Sequence, residues 1–132
     1  MHTRARIIVS ILIAGGVTVL GGHTALAAGD DDGRVIRTGP CSGSTDWKIK
    51  AKPDDGRIEV EGEIDSNRTG QTWSWALNHN GSSSARGSSV TGGRSGSFEV
   101  ERRTVNTSGT DRFVFRGTNA RTGEVCVARV SL

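Results

Sequence analysis

The chain has no tyrosine, one methionine, two prolines and two cysteines among 132 residues. Two of its histidines, His2 and His23, lie near the N-terminus, which leaves His79 alone in the body of the chain. Two distant cysteines and one histidine make no recognisable zinc ligand set, so neither a metal nor a cofactor is expected. The lack of tyrosine excludes the tyrosine corner of antibody domains. Beyond residue 27 no stretch keeps a helical apolar period over three turns, which argues against a helical domain. No second long apolar run follows the first, so only the N-terminal segment could hold the chain in a membrane.

That segment reads as an export signal. Arg4 and Arg6 precede an apolar run from Ile7 to Leu20, followed by GGHTALAAG. Ala25 and Ala27 satisfy the small-x-small rule, which places cleavage after Ala27, with Ala28 as the alternative. A retained anchor is the competing reading, but the run is short and glycine-rich for a span of about 20 residues. No cysteine stands at the exit, which argues against a lipoprotein. Residues 1–27 are therefore expected to be a signal peptide and the protein to be secreted and extracellular. Arg4 and Arg6 leave with the signal, so 15 Lys and Arg face 14 Asp and Glu. A net charge near +1, together with export, argues against nucleic acid as partner.

The remainder suits one domain. Residues 28–40 read as a flexible polar leader, with Val35 and Ile36 adding a short edge strand, and residues 41–132 as the folded unit. Large apolar residues are few there, which makes the core thin for this size. Cys41 and Cys126 bracket the unit, and an oxidising destination favours a disulfide between them. Closing so long a loop stabilises by about 4–5 kcal/mol in the chain-entropy model.

Short β-like runs alternate with PDDG, NRTG, NHNG, NTSG and ARTG, turns in which glycine, Asn and Asp favour positive φ. This rhythm predicts an antiparallel all-β sandwich of six or seven strands, resembling immunoglobulin-like domains in strand count and size, with a small open barrel as the alternative. The Cys–Trp–Cys spacing of antibody domains is missing. Trp47, Ile49 and Ala51 share one face of the first hairpin, as do Ile58, Val60, Gly62 and Ile64. Pairing Lys52 with Arg57 sets Ile49 against Val60, Lys50 against Glu59, Lys48 against Glu61 and Trp47 against Gly62. A further hairpin would set Ile64 against Trp73 and Gly62 against Trp75, gathering three tryptophans around Gly62. Residues 80–97 suggest an edge strand near Ala85–Val90 and a loop at Gly92–Gly96. Strands at 98–105, 110–118 and 124–131 follow. In the last, Val125 and Val127 compete with Cys126, Ala128 and Val130 for the inner face.

Catalysis is hard to build from these residues, and no catalytic residue is assigned. A Ser–His–Asp set would need His79 with Ser74, Ser82 or Ser83 and with Asp65 or Asp111, but no nucleophile elbow marks it. Glu59, Glu61 and Glu63 could supply a glycosidase pair by type, yet they read as a solvated strand face answered by lysines. PDDGRIEVE matches a calcium loop only at its DG-x-I. Binding is the expected role, with an extracellular protein or an anionic cell-envelope polymer as partner. Arg102, Arg103, Arg112 and Arg116 form the candidate patch, with Arg86, Arg94 and Arg121 placed in loops. A carbohydrate-binding module using exposed Trp73 and Trp75 is one alternative, against the reading that both fill the core. A secreted inhibitor presenting residues 82–97 is another. That loop has no cysteine or proline brace and would be costly to order. A small secreted hydrolase is the third.

The run CSGSTDWKIKAKPDDGRIEVEGEIDSNRTGQTWSW resembles the opening of small secreted proteins from high-GC Gram-positive bacteria, the actinobacteria. Cys41, Trp47, the DG turn, the E-V-E strand, DSNRTG and Trp73 carry the likeness, which extends loosely to the strand with Cys126. The resemblance implies export and the disulfide, and implies no activity or site.

Overall fold

The computed structural model describes residues 32–132, so the expected signal peptide and the first part of the expected leader lie outside the described residues. The described residues form eight strands: β1 (Val35–Pro40), β2 (Asp46–Asp54), β3 (Arg57–Asp65), β4 (Thr72–His79), β5 (Ser82–Val90), β6 (Ser97–Val105), β7 (Arg112–Asn119) and β8 (Val125–Ser131). They make two four-stranded antiparallel sheets. Sheet A has the order β1-β2-β3-β6 and sheet B the order β5-β4-β7-β8. The two sheets stay separate, so the architecture is a sandwich and not the barrel alternative.

The strand count exceeds the expected six or seven for two reasons. The short edge strand expected at Val35 and Ile36 runs on to Pro40, pairing with β2 from Val35↔Ala51 to Pro40↔Asp46. The regular sheet therefore begins inside the stretch read as a flexible leader. The Ser-rich run from Ser82 to Val90 is one continuous strand, because β4 supplies its backbone partners. Its weak side-chain pattern reflects an edge position with most side chains exposed.

The first hairpin differs from the expected register by two residues. Asp55 and Gly56 both have positive φ, 48° and 75°, the signature of a two-residue type I′ turn. The strands therefore continue through Pro53 and Asp54, and Lys50 meets Glu61, Lys48 meets Glu63, Ile49 meets Gly62 and Trp47 meets Ile64. A slip of two keeps every side chain on its expected face. Ile58, Val60 and Ile64 are fully buried, as are Ile49 and Ala51. Pro53 is tolerated because β1 ends opposite Ala51, so no neighbouring strand needs its missing N–H.

β3 and β4 do not form a hairpin. The chain crosses from sheet A to sheet B between them, and β4 pairs with β5 and β7. The three tryptophans consequently do not gather around Gly62. Trp73 and Trp75 are buried, whereas Trp47 sits half-buried at the β1 edge, where its Nε1 donates to the Pro40 carbonyl at 3.0 Å. The ring over Gly62 is that of Phe115, from the opposite sheet. In β8 the inner face belongs to Cys126, Ala128 and Val130, and Val125 and Val127 are half-buried on the outer face.

Cys41 and Cys126 are disulfide-bonded, with Cα atoms 4.3 Å apart. The bond joins the residue that follows β1 to β8, linking the two sheets where their edges adjoin. Hydrogen bonds continue the seam: Ser42 N donates to Val125 O at 2.9 Å, and Val125 N donates to Ser42 Oγ at 2.9 Å.

Candidate functional site

The four arginines expected to form one patch are divided between the sheets. Arg102 and Arg103 belong to β6 in sheet A, and Arg112 and Arg116 to β7 in sheet B. Arg103 pairs with Asp54 at 3.2 Å. Arg102 turns to the inner side of its edge strand, and its Cζ lies 5.3 Å from the Trp75 ring centroid. A guanidinium over an indole closes the open side of the core, and a charge aimed inward discourages pairing along that edge. Both residues thus have structural employment.

Sheet B brings a different set together. Alternation puts Trp73, Trp75 and Leu77 inside and Ser74, Ala76 and Asn78 outside on β4. Cross-strand partners share a face, so the pairings Ala76↔Arg86, Ala76↔Arg116 and Val114↔Arg129 place all three arginines on the outer face. Arg112 joins them two residues before Val114 on β7. Arg86 and Arg116 flank Ala76 at a separation of about 10 Å between backbones, and Arg112 lies about 13 Å along the strand from Arg116. Between Arg86 and Arg116 runs a groove of about 320 Å³ over Ser74, Ala76 and Thr118. The small side chains of the floor leave the guanidiniums standing as its walls.

The charge around this face is one-sided. β4, β5, β7 and β8 contain no Asp or Glu, whereas sheet A carries eight against seven Lys and Arg. The Lys50–Glu61 pair at 3.1 Å shows how sheet A answers its own charges. Among the described residues no carboxylate pairs with Arg86, Arg112, Arg116 or Arg129. Arg86 is a strand residue, not the loop residue expected. Arg129 escapes the expected patch because it stands alone in its strand, and Arg86 reads as a loop residue because its strand is Ser- and Gly-rich. The signal that finds them is the absence of carboxylates from TWSWALNH, SSSARGSSV, RFVFRGTN and VCVARVS.

The tryptophan platform has no exposed ring to offer. Trp73 is 0% exposed and Trp75 is 7% exposed. Their indole N–H groups are engaged by Gln71 Oε1 at 3.3 Å and Ser89 Oγ at 3.1 Å. The expected inhibitor loop is also reduced, since Ser82–Val90 is strand.

His79 does meet one of its candidate carboxylates. Its Nε2 lies 2.6 Å from Asp111 Oδ1, and its ring stacks on Phe113 with centroids 4.4 Å apart. Asp111 is buried and also accepts from the Thr107 hydroxyl at 2.9 Å and the Thr107 N–H at 3.3 Å. Burial works to raise the Asp111 pKa, but the hydrogen bonds from His79 and Thr107 outweigh it and hold the carboxyl below its ordinary value. Among the described residues no serine hydroxyl bonds to His79. Ser74 donates to Thr118 O, and Asp65 accepts from Asn67 N. The pair ties the β4 end to the segment entering β7 and lacks a nucleophile.

The acidic stripe lies beside β6. Glu61 faces Glu101 and Glu63 faces Glu99 directly across the strands. Burial, then a hydrogen bond with Glu99, push the Glu63 carboxyl above its ordinary pKa. The residues read as a calcium motif do other work: Asp54 pairs with Arg103, and Asp55-Gly56 forms the hairpin turn.

No protein-family model, curated protein or solved structure matches the chain.

Proposed function

We propose that the protein is a secreted, non-catalytic binding module whose sheet B outer face holds an anionic polymer of the cell envelope. The carrying observation is the face itself: four arginines and no carboxylate over four adjacent strands. Guanidinium groups form paired hydrogen bonds to phosphate and carboxylate and stay charged at any physiological pH. Spread over a flat groove floor, they suit a repeating chain of anions. A protein partner would call for exposed aromatic anchors at the centre, whereas Ser74, Ala76, Gly87 and Thr118 line the groove between the arginines and Trp75, which also borders it, is buried. The export signal and the disulfide support an extracellular setting.

The fold we infer is immunoglobulin-like in pairing. β2-β3-β6 follows the A-B-E arrangement, and β5-β4-β7-β8 follows C′-C-F-G, with β1 added at the edge and no D strand. The resemblance to actinobacterial secreted proteins is a proposal of the same kind, supported by the motif run from Cys41 to Trp75.

Binding to immobilised poly(glycerol phosphate), with neutral dextran as control, tests the function. The full chain is expected to bind the phosphate polymer, weaken as salt rises, and lose at least about tenfold in affinity with Arg86→Ser and Arg116→Ser combined. Equal retention by dextran, or an unchanged affinity in the double variant, would overturn the reading.

A further inference from the structure

At one end of the sandwich the β3–β4 loop, residues 66–71, faces the β7–β8 loop, residues 120–124. A cleft of about 710 Å³ opens between them, and a second basin of about 430 Å³ continues toward residues 42–45. Arg68, Gln71, Asn119 and Thr122 line both, and Arg121 lines the larger.

The chemistry of this lining is set by which atoms are already engaged. Asn119 is 3% exposed, and its Oδ1 accepts from Arg121 N at 2.9 Å and Thr122 N at 3.1 Å. Two donors on the oxygen fix the amide's orientation. Its Nδ2 is left as a donor without a protein partner among the described residues. No sealed side-chain nitrogen or oxygen there is unpaired, so this group opens on the cleft. Gln71 repeats the arrangement: Oε1 accepts from Trp73 Nε1, which leaves Nε2 to donate. Thr122 Oγ1 accepts from Glu124 N, leaving its hydroxyl hydrogen free. The guanidiniums of Arg68 and Arg121 complete a wall of donors.

Among the described residues Glu124 is the one carboxylate in the lining, and it is occupied. Gly43 N and Thr45 N donate to its Oε2 at 2.8 and 3.0 Å, and the Thr45 hydroxyl donates to Oε1 at 2.7 Å. The cleft is also built in advance. The Thr91 hydroxyl accepts from Gln71 N and donates to Arg68 O. Ser66 N and Oγ both donate to Gly96 O. Gly96, at φ 64°, lies so close that a Cβ would collide with the Arg68 backbone. A loop held this firmly loses little entropy when a ligand arrives.

Acceptor-rich ligands satisfy a donor wall, and two guanidiniums call for an anion. Amides and hydroxyls without an aromatic or large apolar wall call for a ligand bearing hydroxyls, and the volume suits a small molecule. We propose that the cleft binds an acidic sugar. Its carboxylate or phosphate is held by Arg68 and Arg121, and its hydroxyl oxygens accept from Asn119 Nδ2, Gln71 Nε2 and the Thr122 hydroxyl. This site is separate from the Arg86–Arg116 groove and stands without that reading.

Titration of the ¹⁵N-labelled full chain with glucuronate, glucose 6-phosphate and glucose tests it by NMR. Saturable shifts of the Asn119 and Gln71 side-chain NH₂ signals with either acidic sugar are expected, and the sugar that produces them identifies the anion. Arg68→Ala and Arg121→Ala, both in exposed loops, should each weaken binding about tenfold. Arg86→Ser with Arg116→Ser should leave it unchanged even if that variant loses the polymer. Equal binding of glucose, no saturation with either acidic sugar below about 50 mM, or full affinity in the Arg68→Ala, Arg121→Ala double variant overturns the proposal.

Discussion

The ring of Phe115 stands where a side chain on Gly62 would be: a Cβ there would lie 2.6 Å from the ring carbons. The relationship is reciprocal one step along. Ile64 on β3 fills the space that a Cβ on Gly117 of β7 would take. Each sheet thus offers one large side chain and one vacancy to the other, and β3 and β7 close against each other at that point.

Filling either vacancy is expected to unseat the packing. Gly62→Ala should destabilise the domain by about 1–3 kcal/mol, the usual range for overpacking a core. Urea denaturation reads this as a lower midpoint at unchanged slope. Phe115→Leu in the same chain should return part of the loss, because the smaller side chain makes room. Simple additivity of the two changes would rule out the contact as the cause.

The faces of β3 and of β6 were legible from alternation alone, because Ile58, Val60 and Ile64, like Phe98 and Val100, keep strict period two. The register of the first hairpin was not. The expected register sets Lys52 against Arg57 and matches two lysines with glutamates, whereas the observed one matches Lys48, Lys50 and Lys52 with Glu63, Glu61 and Glu59 and Asp54 with Arg57. Charge pairing read through to the turn therefore favours the same register as the Asp55-Gly56 turn, whose φ values alternation does not encode. The arginine face was hidden for another reason. β6 and β7 are consecutive in sequence but lie in different sheets, so a run of nearby arginines did not make a patch. Arg86, in a Ser-rich edge strand, becomes a neighbour of Arg116 only through Ala76.

Reducing the Cys41–Cys126 bond should remove stability without abolishing the sheets. The sequence separation of 85 residues corresponds to about 4–5 kcal/mol in the chain-entropy model. Cys41→Ser with Cys126→Ser should show a loss of that order by chemical denaturation. A double variant as stable as the parent would show that the bond adds nothing to the fold.

Acid should unfold the protein partly through Asp111. Its pKa in the fold lies below the ordinary carboxylate value of about 3.9. The stability it contributes is therefore present above that unfolded value and is lost as pH falls through the lower folded one. Asp111→Asn should start less stable at neutral pH and show a shallower decline in urea midpoint from about pH 5 to pH 2. A parallel decline in both proteins would remove Asp111 from the acid transition.

Glu63 works in the opposite sense. Burial and the facing Glu99 raise its folded pKa above its unfolded value. Its contribution is full below that unfolded value, near pH 4.3, and is lost as pH rises through the folded one. Glu99→Gln should therefore raise stability at pH 7 by about 0.2–1 kcal/mol, the scale of a facing pair on a sheet. At about pH 3, where the Glu63 carboxyl is protonated, variant and parent should coincide. A gain of equal size at both pH values would point to something other than charge.

The placement of the disulfide has a mechanical meaning. Cys41 follows the first strand and Cys126 lies within the last, so a pull applied to the two ends of the chain passes through the sulfur–sulfur bond. The strands from β2 to β7 lie inside the closed loop and off the line of force. A molecule pulled by its two ends would let only β1 and the tail of β8 peel away. The arginine groove between Arg86 and Arg116 would keep its shape under tension until a reductant opened the loop.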